Sequence, residues 1–203
     1  QWVEKQAKAG KPWSATMERY IPPIQELQQK LIDLNISKYN VGESRPLKRP
    51  QHSRVLLVVG QVEDDMSIQL GGIGIKTNLD LLKQVRGDHP DSYIIYKPHP
   101  DVLASNRKGR ISLKDARSLC DAVVENASVD SLLSVCHEVH TITSLVGFEA
   151  LIRGIKVVTH GMPFYAGWGL THDMQKSYTR QRMLHVNELI AGVMICYPRY
   201  LNP

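Results

Sequence analysis

The chain has 203 residues, of which 42% are hydrophobic and 22% are charged, and its formal net charge is +5. This length and composition suit one globular domain with an ample core and a helical extension. No run of eighteen apolar residues and no signal peptide is visible, which excludes a membrane-spanning helix. The net positive charge suits a polyanionic ligand, a nucleotide or an anionic lipid surface. The basic residues are scattered, so a merely solvated basic surface is the alternative, and the absence of an aromatic-rich surface disfavours a nucleic acid.

The cysteines, Cys120, Cys136 and Cys196, are odd in number, widely spaced and surrounded by apolar residues. A zinc site or a disulfide framework requires paired or closely spaced cysteines, so neither is predicted. We therefore expect free core thiols in a reducing cytoplasm.

The first forty residues are polar and helical in pattern. Apolar residues at helical spacing, from Ile24 to Leu34, predict an amphipathic helix over about 23–35. The segment 37–53 contains two prolines and several charges and is interpreted as a linker. The predicted organisation is therefore a helical extension and linker at 1–50, followed by a single domain at 51–203.

Buried β-branched runs alternate with helical segments over the rest of the chain. The run at 54–59 is typical of a parallel strand that is buried on both faces. The regular alternation predicts an α/β, Rossmann-like, doubly wound and mostly parallel sheet, in which ligands bind beyond the carboxyl ends of the strands. Further strands are predicted at 92–96, 122–124, 138–142 and 155–159, and helices at 77–85, from Ser128 to near Cys136, at 144–153 and at 186–195.

An acidic cluster, Glu63, Asp64 and Asp65, follows the first strand within Gln61-Val-Glu-Asp-Asp-Met-Ser67. Adjacent carboxylates repel one another, which can raise one pKa for a general acid or leave one ionised carboxylate as a nucleophile. A solvated acidic loop that caps the next helix is the alternative interpretation. The glycines that follow match neither the dinucleotide nor the P-loop fingerprint, which disfavours a Rossmann dehydrogenase and a P-loop enzyme.

A second polar cluster, Lys97-Pro-His-Pro100, follows the second strand. Its prolines fix the backbone on both sides of His99, so the imidazole is held rigidly at the end of the strand. His99, beside Lys97, can then bond a phosphate or protonate a leaving phosphate. The alternative is a rigid turn with an exposed histidine.

The most informative stretch runs from Thr143 to Gly154, where a turn opens a short helix before a buried strand. The start of a helix presents unpaired N–H groups and a positive dipole end, so we expect a phosphate beside Ser144 and Gly147. Glu149, near the start of this helix, can bond a ribose hydroxyl. The alternative is an ordinary helix cap with Glu149 on the surface.

The segment 161–173 is a long loop rich in glycine and aromatic residues, among them Gly161, Tyr165, Gly167 and Trp168. Such a loop can line a cleft, because aromatic rings pack against a sugar or a base and glycines allow close contact. A packed surface loop or a partner contact is the alternative. The charged residues at and beyond its end are interpreted as surface charges or, for the arginines, as groups that bind a carboxylate or phosphate: Asp173, Arg180 and Arg182.

With these residues in place, the chain resembles the capsule polysaccharide biosynthesis family typified by KpsC. The glycine-aromatic segment Pro163-Phe-Tyr-Ala-Gly-Trp-Gly-Leu-Thr171 is its most specific feature. The members look like retaining β-Kdo glycosyltransferases that build the Kdo linker on a lipid at the inner membrane. The matching segments cover most of 36–203 in the family's order: 61–67, 97–101, 144–151, 163–171 and 197–200.

The resemblance implies a CMP-Kdo donor, one lobe of a GT-B-like pair of Rossmann-type domains, and no required cofactor or metal. It implies that Ser144, Glu149 and His99 hold the CMP phosphate and ribose, while Lys97 neutralises the phosphate or the Kdo carboxylate. A carboxylate of the acidic cluster, with Asp65 preferred, would attack the anomeric carbon and form a covalent glycosyl-enzyme. The catalytic candidates are Glu63, Asp64, Asp65 and His99, and the donor-binding candidates are Gln61, Ser67, Lys97, His99, Ser144, Gly147, Glu149, Gly161, Tyr165, Gly167 and Trp168.

KpsC-like proteins carry two transferase modules of two lobes each, whereas this chain resembles the donor-binding lobe of one module. We therefore expect the lipid-linked saccharide acceptor to bind a lobe outside this chain, which begins at Gln1 and is interpreted as a fragment. The resemblance implies a cytoplasmic location, with a peripheral position on the inner face of the inner membrane as a further expectation. The alternatives are a non-catalytic nucleotide- or sugar-binding module in capsule assembly or export, and a small hydrolase or epimerase, which the missing nucleophile elbow disfavours.

Overall fold

The computed structural model describes residues 21–37, 54–104, 107–177, 179–180 and 182–198. These residues fall into two compact units, which divide between residues 36 and 37 and between residues 182 and 183. The boundary predicted at residues 50–51 lies outside the described residues and stays a prediction. The division after residue 182 was not predicted.

The larger unit is built on a parallel sheet, and all five predicted strands form within a residue or two of their expected positions. The strand order is β3-β2-β1-β4-β5-β6, with every neighbouring pair parallel. The short β6 lies inside the stretch that was interpreted as a loop. The strands are β1 Val55–Val59, β2 Tyr93–Lys97, β3 Ala122–Val123, β4 Glu138–Thr141, β5 Lys156–Thr159 and β6 His172–Asp173.

The strand order has the Rossmann pattern, because the chain starts in the middle of the sheet and builds outward first on one side and then on the other. Crossovers between parallel strands are right-handed. Because β2 and β3 are added on one side of the central strands and β5 and β6 on the other, the connecting helices lie on opposite faces of the sheet. The order therefore reverses between β1 and β4, which opens a crevice at their carboxyl ends. The predicted fold, a Rossmann-like doubly wound parallel sheet of the kind that forms one lobe of a GT-B glycosyltransferase, is confirmed.

The described helices include three short ones that the sequence analysis did not predict, α2, α4 and α5. They lie in stretches where glycine, proline and charged residues interrupt the apolar pattern. Ser128 caps α6 as predicted, since its side chain accepts a hydrogen bond from the Ser131 backbone N–H. The helices are α1 Ile21–Asp33, α2 Met66–Gly71, α3 Asn78–Asp88, α4 Pro100–Ala104, α5 Leu113–Leu119, α6 Val129–Leu133, α7 Leu145–Ile152 and α8 Val186–Ile190.

The core of the larger unit explains why the central strands hold their positions. All five residues of β1 are buried, so both faces of this strand contact apolar neighbours. Burying one such aliphatic side chain stabilises the fold by about 1.5–3 kcal/mol. The central cluster joins β1 and β2 to α3 and α5 through Leu56, Val58, Ile94, Tyr96, Leu81, Leu82, Val85 and Ala116. The segments that leave the carboxyl ends of β1 and β2 therefore start from fixed points.

The cysteines are free, and two of them behave as predicted. Cys120 and Cys136 are buried, whereas Cys196 is partly exposed. Burial raises the pKa of the Cys120 thiol, which favours its protonated and unreactive form.

The smaller unit contains α1 and α8, which contact each other. Ile24 and Leu31 are the buried residues of the predicted amphipathic α1. The predicted closing helix is confirmed in position, but after Ile190 it continues as a π-helix, Ala191–Cys196. Among the described residues, no helix combines the length and the apolar character needed to cross a bilayer.

Candidate functional site

A cleft of about 790 Å³ opens at the carboxyl ends of the central strands, where the strand order reverses. Its volume lies within the range of about 300–1,000 Å³ that small-molecule sites occupy. The cleft is lined by Val59, Gly60, Gln61, Val62, Asp65, Ser67, Lys97, Pro98, His99, Pro100, Leu103, Glu125, Asn126, Val129, Thr143, Ser144, Leu145, Val146, Glu149 and Phe164. The polar segments after β1, β2 and β4 therefore meet in one place.

The acidic cluster is divided by the fold, because only Asp65 lines the cleft. The Glu63 carboxylate accepts a hydrogen bond of 2.7 Å from the Asn78 backbone N–H, at the start of α3. The Asp64 carboxylate is paired with Arg107 at 3.3 Å. Asp65 sits at the N-cap position of α2 but makes no capping hydrogen bond with its side chain. Of the predicted catalytic carboxylates, Asp65 is therefore the one placed to reach a ligand.

Lys97 ends β2 with its side chain inside the cleft wall, where 9% of the residue is exposed. Its ammonium donates a hydrogen bond of 2.6 Å to the Glu125 backbone carbonyl. Burial lowers the pKa of Lys97, and the Glu125 carboxylate partly opposes this effect. An ammonium has three donors, so Lys97 keeps the capacity to bind an anionic ligand while it is held in place.

His99 also lines the cleft, and its ring orientation is set by the turn that follows it. The Asp101 backbone N–H donates a hydrogen bond of 3.2 Å to Nδ1 of His99. Nδ1 is thus the acceptor, so the neutral ring carries its proton on Nε2. His99 can therefore donate from Nε2 to an oxygen of a phosphate.

The amino end of α7 faces the cleft, since Leu145 and Val146 of its first turn line it together with Ser144. Ser144 is the N-cap, and its hydroxyl accepts a hydrogen bond of 3.2 Å from the Val146 backbone N–H. The backbone N–H of Ser144 is itself fixed by a 2.9 Å bond to the Thr141 hydroxyl. The positive end of the helix dipole therefore points into the cleft, as an anion site requires.

Glu149 lies one turn further along α7 and lines the same cleft, although only 6% of the residue is exposed. The alternative interpretation, in which Glu149 lies on the surface, is thus wrong.

Gln61 joins the segment after β1 to the turn after β4. Its amide oxygen accepts hydrogen bonds from the Thr143 backbone N–H at 2.9 Å and from the Thr141 hydroxyl at 3.2 Å. Its amide nitrogen donates to the Thr143 hydroxyl at 3.0 Å. Asn78 pairs with the backbone of Gln61 in both directions. The side chain of Gln61 lines the cleft, but its hydrogen bonds go to the protein, so it positions the site.

Most of the glycine-aromatic segment lies outside the cleft, and Phe164 is the one residue of the segment that lines the cleft. Tyr165 is fully buried, and its hydroxyl donates a hydrogen bond to the Ser144 carbonyl. Burial raises the pKa of Tyr165 well above its usual range, so the phenol stays protonated and keeps donating. The Trp168 indole donates to the Phe164 carbonyl at 2.8 Å, and the Arg180 guanidinium lies 5.5 Å from the Trp168 ring centre.

Charged residues hold the same segment together. Asp173 accepts hydrogen bonds from the Gly167 backbone N–H and from the Thr159 hydroxyl, both at 2.8 Å. Arg180 donates to the Pro163 and Ala166 carbonyls at 2.6 Å. Asp173 and Arg180 were interpreted as surface charges, with ligand binding as an alternative for the arginine, but they bind the loop itself.

The glycines that were predicted to bind the donor, Gly147, Gly161 and Gly167, do not line the cleft. A side chain at any of these positions would be sterically or conformationally unfavourable. A side chain at Gly161 would lie 2.6 Å from the Gly71 carbonyl oxygen, and Gly167 has a positive φ of 79°. At Gly147, an added Cβ would lie 2.2 Å from the Tyr165 hydroxyl. Gly147 lets the glycine-aromatic segment pack against α7, whereas Gly161 lets the Gly71 backbone approach. Of the other predicted donor-binding residues, Ser67 does line the cleft.

We expect Gly147→Ala to destabilise the protein, because the new methyl group would displace Tyr165 from the Ser144 carbonyl. Overpacking of this kind costs about 1–3 kcal/mol, which thermal denaturation would detect as a lower Tm. The matched control is Gly87→Ala in α3, where an added Cβ has no neighbour within 4 Å and should be neutral or slightly stabilising. Equal Tm values for the two variants would contradict the role given to Gly147.

Doubly wound parallel domains bind their ligands in the crevice where the strand order reverses, and the cleft described here lies in that crevice. The fold and the site therefore define a Rossmann-like domain with a ligand-sized cleft in that crevice. More particularly, the sequence profile of the capsule polysaccharide biosynthesis protein family matches residues 16–200, and the chain belongs to this family. The resemblance on which the sequence analysis relied is confirmed.

Two curated relatives are long proteins of which this chain matches a part. The chain is 51% identical over 178 residues to the capsule polysaccharide modification protein LipA of Neisseria meningitidis serogroup B. It is 47% identical over 167 residues to the lipopolysaccharide-processing protein LpsZ of Rhizobium meliloti. These matches cover 88% and 81% of this chain but only 25% and 38% of the relatives. The chain thus spans well under half the length of either relative.

Two solved structures share the fold and substantial sequence identity. The β-Kdo 2,7 transferase of Thermosulfurimonas dismutans KpsC matches 94% of this chain with 39% identity and a TM-score of 0.74. The β-Kdo 2,4 transferase of the same protein matches 90% with 34% identity and a TM-score of 0.80. Both matches cover 57% of the solved chain, so this chain corresponds to part of each transferase.

Proposed function

We propose that this chain is the donor-binding domain of a glycosyltransferase that transfers Kdo from CMP-Kdo to a lipid or glycolipid acceptor in capsule polysaccharide biosynthesis, with retention of configuration. The observation that carries the proposal is the meeting of Lys97, His99 and the amino end of α7 in one cleft. These groups suit the phosphate of a nucleotide-activated sugar. The similarity to two KpsC transferases supports the choice of Kdo as the sugar.

In this proposal, the phosphate of CMP lies at the amino end of α7, where the helix dipole favours negative charge, and accepts a hydrogen bond from Nε2 of His99. The Glu149 carboxylate accepts hydrogen bonds from the ribose hydroxyls. Lys97 balances the charge of the phosphate or of the Kdo carboxylate. Phe164, which is 41% exposed at the edge of the cleft, is a further candidate because its ring can pack against the base or the sugar.

Retention by double displacement needs a nucleophile, and Asp65 is the carboxylate of the acidic cluster that lines the cleft. One carboxylate oxygen of Asp65 would form a bond to the anomeric carbon of Kdo while the bond from that carbon to the phosphate oxygen breaks. CMP leaves with the electron pair. An acceptor hydroxyl then attacks the same carbon, loses its proton to a base and releases Asp65.

The acceptor, a lipid-linked saccharide, would bind a second lobe that belongs to the longer proteins of this family. The fraction of each KpsC transferase that lies outside the match leaves room for such a lobe. In this proposal, the reaction takes place in the cytoplasm, and the protein is peripheral on the inner face of the inner membrane. Neither a metal nor a cofactor has an assigned part in this proposal.

A non-catalytic module that binds nucleotide or sugar for capsule assembly or export is the alternative function. Measurements of CMP binding and of turnover distinguish the two functions. A donor domain should bind CMP, and the complete product of the gene should release CMP from CMP-Kdo when an acceptor is present. A carbohydrate-binding module would bind glycan and ignore CMP.

We expect His99→Ala to weaken CMP binding, because the variant loses the Nε2–H donor to the phosphate. A hydrogen bond to a charged group is worth about 1.5–3 kcal/mol, or roughly 10–100-fold in Kd. Isothermal titration calorimetry with CMP measures the effect. His137→Ala is the matched control, since His137 is exposed and its Nδ1 accepts a hydrogen bond from the Val55 backbone N–H at the amino end of the sheet. Unchanged CMP affinity in His99→Ala would refute the proposed phosphate contact.

A further inference from the structure

A buried polar cluster lies toward the amino end of β4, away from the cleft. Glu138 and His140 alternate along β4 and so share one face of the sheet. His89, which follows α3, brings its ring to within 5.3 Å of the His140 ring, centre to centre. One ligand atom of each residue lies within 4.8 Å of the other two. Glu138 and His140 are buried, and His89 is partly exposed.

The hydrogen bonds of this cluster orient its atoms. Nε2 of His140 lies 2.9 Å from Oε1 of Glu138, and Nδ1 of His140 lies 3.2 Å from Nε2 of His160. The other carboxylate oxygen of Glu138 accepts a 2.5 Å hydrogen bond from Arg54. Arg54 therefore fixes the carboxylate and leaves Oε1 turned toward His140.

We propose that His89, Glu138 and His140 form a binding site for one divalent transition-metal ion of the zinc type. Two imidazoles and one carboxylate are a donor set that Zn²⁺ accepts, with a fourth position for water or another oxygen. Ligand atoms bound at about 2.0–2.2 Å to one tetrahedral ion lie about 3.3 Å apart. The spacing between Nε2 of His140 and Oε1 of Glu138 is close to that value, so an ion can replace the proton that they share. One ring nitrogen of His89 lies within 4.8 Å of a ligand atom of each of the other two residues, and rotation of this partly exposed ring would bring it to the ion.

His160 completes the arrangement as a partner of the ligand His140. When Nε2 of His140 binds the ion, its remaining proton sits on Nδ1 and is donated to Nε2 of His160. Metal-bound histidines normally donate their second ring N–H in this way. His160 is buried behind His140, so it has no competing contact with bulk water there.

The charges around the cluster influence its affinity for a cation. Arg54 repels a cation, and Asp88, beside His89, attracts one. The Glu138 carboxylate supplies the remaining negative charge at the site. A cluster that served only as a hydrogen-bonded part of the core would use the same Glu138, His140 and His160 contacts. A metal site requires in addition a third ligand, and His89 occupies that position.

The proposal does not depend on the proposed transferase function, because none of these residues lines the cleft. The test is titration of the chelator-treated protein with Co²⁺, read from its visible absorption, followed by displacement with Zn²⁺. We expect one equivalent to bind to the wild type. In His89→Gln the affinity should fall at least about tenfold, since even loss of an outer-shell partner costs 10–100-fold.

Thermal denaturation in the presence of Zn²⁺ provides an independent readout, because an ion that binds only the folded state raises the Tm. At the same Zn²⁺ concentration, the wild type and the control His137→Gln should gain more stability than His89→Gln. The proposal is overturned if the wild type binds no stoichiometric ion, or if His89→Gln and His137→Gln bind it equally. CMP affinity should be the same in all these proteins.

Discussion

Replacement of Asp65 by asparagine is expected to abolish transfer of Kdo by the complete product of the gene, with a loss of at least about 10⁴-fold, as for other essential catalytic side chains. An amide has the size of the carboxylate but is not a nucleophile, so the covalent step cannot occur. Incubation with CMP-Kdo followed by intact mass spectrometry should find a Kdo adduct on the wild type and none on Asp65→Asn. CMP release, measured in parallel, should fall with it.

Asp64→Asn is the matched control for this experiment. It removes one neighbouring carboxylate of the same cluster, but Asp64 is paired with Arg107 and does not line the cleft. The control should therefore retain the adduct and most of the activity. Calorimetry with CMP should give similar affinities for both variants, which shows that the donor site is intact. An adduct on Asp65→Asn would place the nucleophile at another residue. A wild type that binds CMP but never releases it from CMP-Kdo would instead favour the non-catalytic module.

The sequence was sufficient to predict the sheet and the place of the cleft. Continuous apolar β-branched runs are a local signal, and each predicted strand produced one of β1 to β5. Parallel strands meet at a common edge, so polar segments that follow them must converge. The positions of His99 and Ser144 in one cleft follow from this rule without any knowledge of tertiary contacts.

The parts that could not be predicted depend on which way a side chain points once distant segments have packed. Tyr165 and Trp168 looked like ligand contacts because aromatic residues and glycines often line clefts. Tyr165 instead contacts the backbone of Ser144, 21 residues earlier, and Gly147 makes room for its ring. The short α2 was missed for a related reason. Its six residues carry too little apolar periodicity to be distinguished from a glycine-rich loop.

Gln61→Leu is expected to have the second largest effect, because this side chain connects the segments after β1 and β4. Leucine fills a similar volume but leaves the Thr143 backbone N–H and the Thr141 hydroxyl without their acceptor in a largely buried place. Each of these two unsatisfied groups costs about 1–3 kcal/mol, so we expect a loss of about 2–6 kcal/mol in the free energy of unfolding. For a chain of this size, that lowers the Tm by about 4–24 °C.

The same substitution should also weaken CMP binding, since Thr141 fixes the Ser144 backbone N–H at the start of α7. Measuring both Tm and affinity distinguishes Gln61, a positioning residue, from His99, a direct contact. Gln61→Leu should lower both Tm and affinity, whereas His99→Ala should lower the affinity at nearly constant Tm. Gln84→Leu, on an exposed face of α3, is the control for the amide-to-leucine change and should alter neither. A Gln61→Leu protein with wild-type Tm would mean that the turn after β4 holds its shape without Gln61. The amino end of α7 would then owe its orientation to Tyr165 and Thr141 alone.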